Sequence, residues 1–180
     1  MKPRARRRAW VVASFVLALA QSDMAMADTR EADVKAAYVY KLASFVKWPP
    51  AAYDSPAAPT TLCVAGRGDI LAALARIASG QRADTRPLIV LALPPGSSTA
   101  AGCHALYLGE GGKWAGQLIQ AMAHAPVLII SDRGAGSSGG VIELVDRGDT
   151  IRLVVHRGEA ARHGLTLSSK LLSVAEAVEP

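Results

Sequence analysis

Apolar and polar positions change their period twice along this chain. From Ala32 to Trp48 the apolar residues Val34, Ala37, Tyr38, Leu42, Phe45 and Val46 recur at helical spacing, with Lys35, Lys41 and Lys47 largely elsewhere on the wheel. This pattern predicts an amphipathic helix. Asp28 and Thr29 offer a cap, Glu31 suits the positive end of the dipole, and Pro49-Pro50 cannot continue the hydrogen bonding, so the helix is expected to stop near Trp48. Beyond a Pro- and Ala-rich loop, short apolar runs alternate with helical ones. Thr60 to Ala65, Leu88 to Leu93, His104 to Leu108 and Pro126 to Ser131 read as strands; Ile70 to Ala78 and Gly112 to His124 read as helices. Then the period settles at two: Val141 to Val145, a tight turn at Asp146 to Asp149, and Thr150 to His156 form an antiparallel hairpin. A helical turn at Glu159 to Arg162 and a helix from Ser169 to Val178, capped by Ser168, close the chain. The fold class expected is α/β: one domain with a mixed sheet of about six strands, helices packed on it, and a C-terminal β-hairpin followed by a helix.

The first residues follow a different logic. Lys2, Arg4, Arg6, Arg7 and Arg8 form a basic start, Trp10 to Ala20 is apolar, and Ala25-Met26-Ala27 fits the small-x-small pattern of a signal-peptide cleavage site. Residues 1–27 are therefore expected to be an export signal cut after Ala27, leaving 28–180 as the working domain. The apolar run is about half of the roughly 20 residues that span a bilayer, and Gln21, Ser22 and Asp23 interrupt it, which argues against a membrane anchor. Arg7-Arg8 leaves a twin-arginine signal as the second choice. Charge changes its meaning in this light. Residues 1–27 carry five Lys or Arg and one Asp, so of the net charge of +5 only +1 belongs to the rest of the chain. A near-neutral domain without a Lys/Arg-rich run speaks against a nucleic-acid partner. No later segment is long and apolar enough to insert in a membrane, so the domain is expected to be soluble in the periplasm.

The two cysteines, Cys63 and Cys103, are an even pair in an exported chain, which favours a disulfide; a redox-sensing pair and two separate thiols remain the alternatives. Cys103-His104 lacks the further ligands that a metal site needs, and no cofactor motif is present. Gly134-Ala135-Gly136-Ser137-Ser138-Gly139 fits G-x-G-x-x-G, but a strand follows it where a nucleotide site needs a helix N-terminus, so an exposed loop is the simpler reading. Ser, His and Asp occur without a G-x-S-x-G elbow, and nothing joins a serine to a base, so catalysis is unsupported. Asp69 of Arg67-Gly68-Asp69 is expected to cap the helix after it, and His124 to close one.

Three stretches resemble one family. Val34-Lys35-Ala36-Ala37-Tyr38-Val39-Tyr40-Lys41, with Phe45-Val46-Lys47-Trp48-Pro49, is similar to the opening signature of the YfiR family (HmsC-like periplasmic proteins), typically VKAAYLYKFAKFVEWP. Pro126 to Asp132 with Gly139-Gly140-Val141-Ile142 resembles the middle signature, and His163 to Leu172 the last. Cys63 and Cys103-His104 sit where the family often has cysteines. The chain departs from the pattern in having His156 where Asn is usual, no Phe in the loop between Asp132 and Gly139, and no second cysteine pair. The resemblance implies a non-enzymatic periplasmic repressor. Its partners would be the sensor domain of an inner-membrane diguanylate cyclase of YfiN type and a sequestering outer-membrane lipoprotein of YfiB type. Less cyclic di-GMP, and less biofilm, would follow. Ser168, Ser169 and Lys170 are the candidate partner-binding residues, and a homodimer is left open. A periplasmic small-ligand-binding or hydrolytic protein is the alternative reading.

Overall fold

Strands that read as unbroken apolar runs need cover on both faces, and the sheet supplies it. The structure is a computed structural model describing residues 29–83, 85–148 and 150–180; the segment read as a signal peptide lies outside them, as do Asp28 of the expected cap and Asp149 of the expected turn. Helix α1 (29–44) leads into a two-residue strand β1 (Val46–Lys47) and a 3-10 turn at Pro50–Ala52. Next come β2 (Thr60–Ala65), α2 (Gly68–Ala78), β3 (Arg82–Ala83), β4 (Arg86–Leu93), β5 (Ala105–Leu108), α3 (Lys113–Ala121) and β6 (Leu128–Asp132). The chain ends with β7 (Ile142–Arg147), β8 (Thr150–His156), α4 (Arg157–Arg162), β9 (Thr166–Leu167), α5 (Ser169–Val174) and β10 (Ala177–Glu179). Among the described residues, eight strands form one mixed sheet in the order β10-β8-β7-β6-β5-β2-β4-β3. Strands β4, β2, β5, β6 and β7 run parallel, and β8 returns antiparallel to β7 as the expected hairpin. The α/β class and the mixed sheet are as the pattern implied. The strands beyond that expectation are short and lie at edges, where no periodicity of their own marks them.

Side chains alternate between two cores. Leu62, Val64, Tyr107, Leu128, Ile130, Ile142 and Leu144 face α1 and α2, while Cys63, Ala65, Leu106, Leu108 and Ile129 face α3 through Leu118 and Met122. Strands β6 and β7 are parallel neighbours joined by loop 133–141 without a helix, and the loop packs on the α3 side. There Gly134, Gly136 and Ser138 are exposed, as expected of the loop, while Ser137 and the following Gly140 are buried. Gly140 has a φ of +87°, and a Cβ there would lie 2.6 Å from the Ile129 side chain, so glycine lets the loop press onto the sheet.

Two boundaries differ from the periodic reading, each because strand pairing wins. Helix α1 stops at Ser44, short of Trp48: the Phe45 N–H donates to Leu42 O, after which Val46 and Lys47 pair antiparallel with Leu167 and Thr166. The last helix stops at Val174, and Ala177–Glu179 instead adds in parallel to β8. The face of α1 also differs. Its buried stripe is Ala32, Lys35, Ala36, Val39, Leu42 and Ala43, whereas Val34 is half exposed. Three alanines in the stripe let the helix sit close to the sheet, at the cost of turning the bulkier Val34 outward.

Candidate functional site

Burial of Lys35 is the feature that the sequence reading placed wrongly, and it leads to the first of two polar knots. A lysine 1 % exposed needs compensating charge. Its Nζ lies 2.8 Å from Glu31 Oε1, one helical turn back, 2.8 Å from Asp132 Oδ2 and 3.4 Å from Asp146 Oδ2. Asp132 ends β6, is fully buried, and also accepts from the Tyr107 hydroxyl at 2.5 Å. Burial alone would lower the Lys35 pKa, but the hydrogen bonds to Asp132 and Glu31 and the charges of Asp132 and Asp146 hold it above its ordinary value. Burial, with the bond to Asp132, pushes the Tyr107 hydroxyl up, so it stays protonated and donates. Arg67 extends the knot toward solvent, reaching Glu31 at 3.4 Å and Asp69 at 2.6 Å. Asp69 therefore does not cap α2, as the sequence suggested. It sits in the first turn, where the Arg67 guanidinium holds its carboxyl below the usual range.

The second knot closes the opposite, amino end of the parallel strands. His104, 7 % exposed, accepts the Thr61 N–H at Nδ1 (3.1 Å), which leaves Nε2 to donate to Ala52 O (3.1 Å). The ring is thus a neutral imidazole with its proton on Nε2. Burial, aided by nearby Arg86 and outweighing the Ala52 bond, lowers its pKa. Tyr53 stacks on His104 with centroids 4.3 Å apart, and the Arg86 guanidinium lies 3.6 Å over the Tyr53 ring. Trp48 Nε1 donates to His104 O at 2.9 Å. Next to this stack, Cys63 and Cys103 form a disulfide with Cα atoms 5.8 Å apart, which sets aside the reading as two separate thiols.

The third element is the seam between the chain's two ends. Pairing of β1 with β9 brings the opening and closing signatures together, and the Ser168 N–H donates to Phe45 O at 3.0 Å. The Ser168 hydroxyl caps α5 by accepting from Leu171 N at 3.2 Å, as expected. Ser169 and Lys170 are exposed, with the Lys170 ammonium 5.6 Å from the Phe45 ring. Beside them, Tyr38, Lys41, Phe45, Arg152, Leu171 and Val174 line a cleft of about 230 Å³. His163 is buried and bonds Ala125 O at 2.7 Å. His124 lies past the end of α3, in a turn. Among the described residues, no group of three or more His, Cys, Asp and Glu side chains is placed to hold a metal ion, and no helix is long and apolar enough to cross a membrane.

These features define a mixed-sheet domain whose signature residues pack against one another. Lys35 of the opening signature pairs with Asp132 of the middle one, and Val46 of the opening signature pairs with Leu167 of the last. The YfiR/HmsC-like family model matches residues 32–176, and the chain belongs to that family. No curated protein matches the chain.

Proposed function

We propose that the protein is a periplasmic, non-enzymatic regulator that represses an inner-membrane diguanylate cyclase of YfiN type, lowers cyclic di-GMP and limits biofilm formation. The observation that carries this reading is the family match across residues 32–176, which spans all three signatures. Its location rests on the export signal read over residues 1–27, cut after Ala27, and the disulfide of an oxidising compartment agrees with it. The non-enzymatic character proposed here follows from the family, which is a regulatory one. A periplasmic regulator cannot reach cytoplasmic GTP, so it must bind two states of a membrane-spanning cyclase with different affinity. Sequestration by a YfiB-type lipoprotein would relieve the repression. The partner-facing residues proposed are Ser168, Ser169 and Lys170 of the last signature; with the Ser168 hydroxyl committed to its cap, the exposed Ser169 and Lys170 carry the contact.

Gene deletion tests the reading: cyclic di-GMP and surface attachment should rise, and the rise should vanish when the cyclase is deleted as well. A chain lacking residues 2–27 should fail to complement. Elevated attachment in the double deletion, or complementation by the unexported chain, would refute the repressor.

A further inference from the structure

One imidazole faces two carboxylates where the sheet ends in β8 and β10. Glu143 of β7 is 3 % exposed; its Oε1 accepts the Gly139 N–H at 2.6 Å, and the Arg133 guanidinium lies on its Oε2. His156, the last residue of β8, places Nε2 3.8 Å from Glu143 Oε1 and Nδ1 3.1 Å from Glu179 Oε2 of β10. Its Nε2 is buried and has no hydrogen-bond partner among the described residues. A neutral imidazole carries one N–H and one lone pair, so whichever nitrogen holds the proton, the other turns its lone pair toward a carboxylate oxygen. Only imidazolium offers an N–H to both. Charged groups on the neighbouring elements are Arg157, exposed at the start of α4, and the carboxyl end of Pro180, which lies against Gly158; Glu159 pairs with Arg162, and Arg147 with Glu176.

We propose that His156 is a proton-operated latch on β10: as imidazolium it ties the strand through Glu179 while reaching back to Glu143, and on losing its proton it lets the strand go. Glu143 is the fixed post of the latch, held by Gly139 and Arg133 of loop 133–141. Strand β10 has little else to hold it. It is three residues long, pairs with β8 alone among the described residues, and leaves the side chains of Val178 and Glu179 exposed. The Arg147–Glu176 pair at its base is a surface pair, and neither member titrates near neutral pH. Because the latched strand favours the protonated ring, latching strengthens as pH falls through the range in which histidine titrates and is lost as pH rises. Only Ala175 and Glu176 join β10 to α5, so release of the strand frees the end of that helix as well.

The full exported protein provides the test, and its outcome is independent of any cyclase. The readout is hydrogen exchange of single backbone amides by NMR, corrected for the pH dependence of exchange itself. Glu176 N–H donates to Leu153 O, so by strand alternation the Val178 N–H also points at β8. Its protection should rise several-fold from about pH 8 to about pH 6, while that of Ile130 in the centre of the sheet should not rise. The sign sets the latch apart from His104, whose buried ring weakens the fold in acid. His156→Asn, which installs the residue usual in the family, takes up no proton in this range and should make the Val178 protection independent of pH. Glu179→Gln, at an exposed position, should flatten the response as well and decides the matter should His156→Asn fail to fold. Arg147→Gln removes the surface pair at the base of the same strand and should leave the rise in place. A Val178 protection that does not change with pH in the wild type, a rise that survives His156→Asn or Glu179→Gln, or one that is lost in Arg147→Gln would overturn the latch.

Discussion

At the carboxyl end of the parallel strands a buried ammonium is neutralised by carboxylates, and at the amino end a buried imidazole stays uncharged and bonds to backbone. Both seal the sheet, but they depend on different things. The Lys35 knot joins three elements by charge: α1, the end of β6 and the end of β7. The His104 knot joins the loop at Ala52, the start of β2 and the start of β5 by neutral hydrogen bonds and ring stacking, with a covalent bond beside it. A charged knot fails when one member is lost, because the remainder becomes an uncompensated buried charge. A neutral knot fails more gently, by orphaning one donor at a time.

The sharpest way to break this contrast is Lys35→Met, which removes the cation and leaves Asp132 buried. Thermal or urea unfolding should show a loss of about 3–5 kcal/mol. Lys41→Met, at an exposed position of the same helix, should cost little; equal losses would mean that the ion pair is not what holds α1. Next in size is the covalent half of the amino-end knot. Replacing Cys63 and Cys103 together by serine reopens a loop of 40 residues and should cost up to about 4 kcal/mol in the chain-entropy account. His104→Ala follows at about 1–3 kcal/mol, the penalty of orphaning the buried Thr61 N–H.

The smallest effects, and the most discriminating, lie in pH. The folded pKa of His104 is depressed below 6.5, so the folded state binds fewer protons than the unfolded chain. Its stabilising contribution is whole above 6.5 and declines as pH falls below that value. Lys35 is the mirror case. Its folded pKa is raised above 10.5, so its contribution is whole below 10.5 and is lost as pH rises through the folded value. Stability against pH should therefore sag on the acid side in wild type but less so in His104→Ala, and the alkaline sag should shrink in Lys35→Met. Both sags unchanged would remove the distinction between the knots.

The central strands, α2 and the hairpin were legible because each carries its own periodicity, and the capping role of Ser168 because it depends on neighbours in sequence. The knots were harder to see. Lys35 lies three residues after Ala32 and four before Val39, on the buried stripe, yet weighting large apolar residues over alanines turned the wheel away from it. Attention to the Ala-rich stripe would have found it. Asp132 and Asp146 gave no such local sign, since their partner lies roughly a hundred residues earlier; the same distance hid β1, whose two residues are strand only because Leu167 and Thr166 are there to meet them. His104 reads in the sequence as an incomplete metal ligand beside Cys103, and no local pattern marks its bonding to Thr61 and Ala52, which lie 43 and 52 residues away.

Pairing between Val46 and Leu167 also sets the order of events during biosynthesis. Helix α1 has its ion-pair partners in β6 and β7, and the strand β1 that follows it pairs with β9, so it cannot find its final place until nearly the whole chain has been released. Contacts of such long sequence separation slow the search for the native state and leave apolar surface open meanwhile. For a chain threaded across a membrane N-terminus first, α1 would be the earliest segment to arrive and among the last to settle, and it is the segment that would benefit most from a chaperone while it waits.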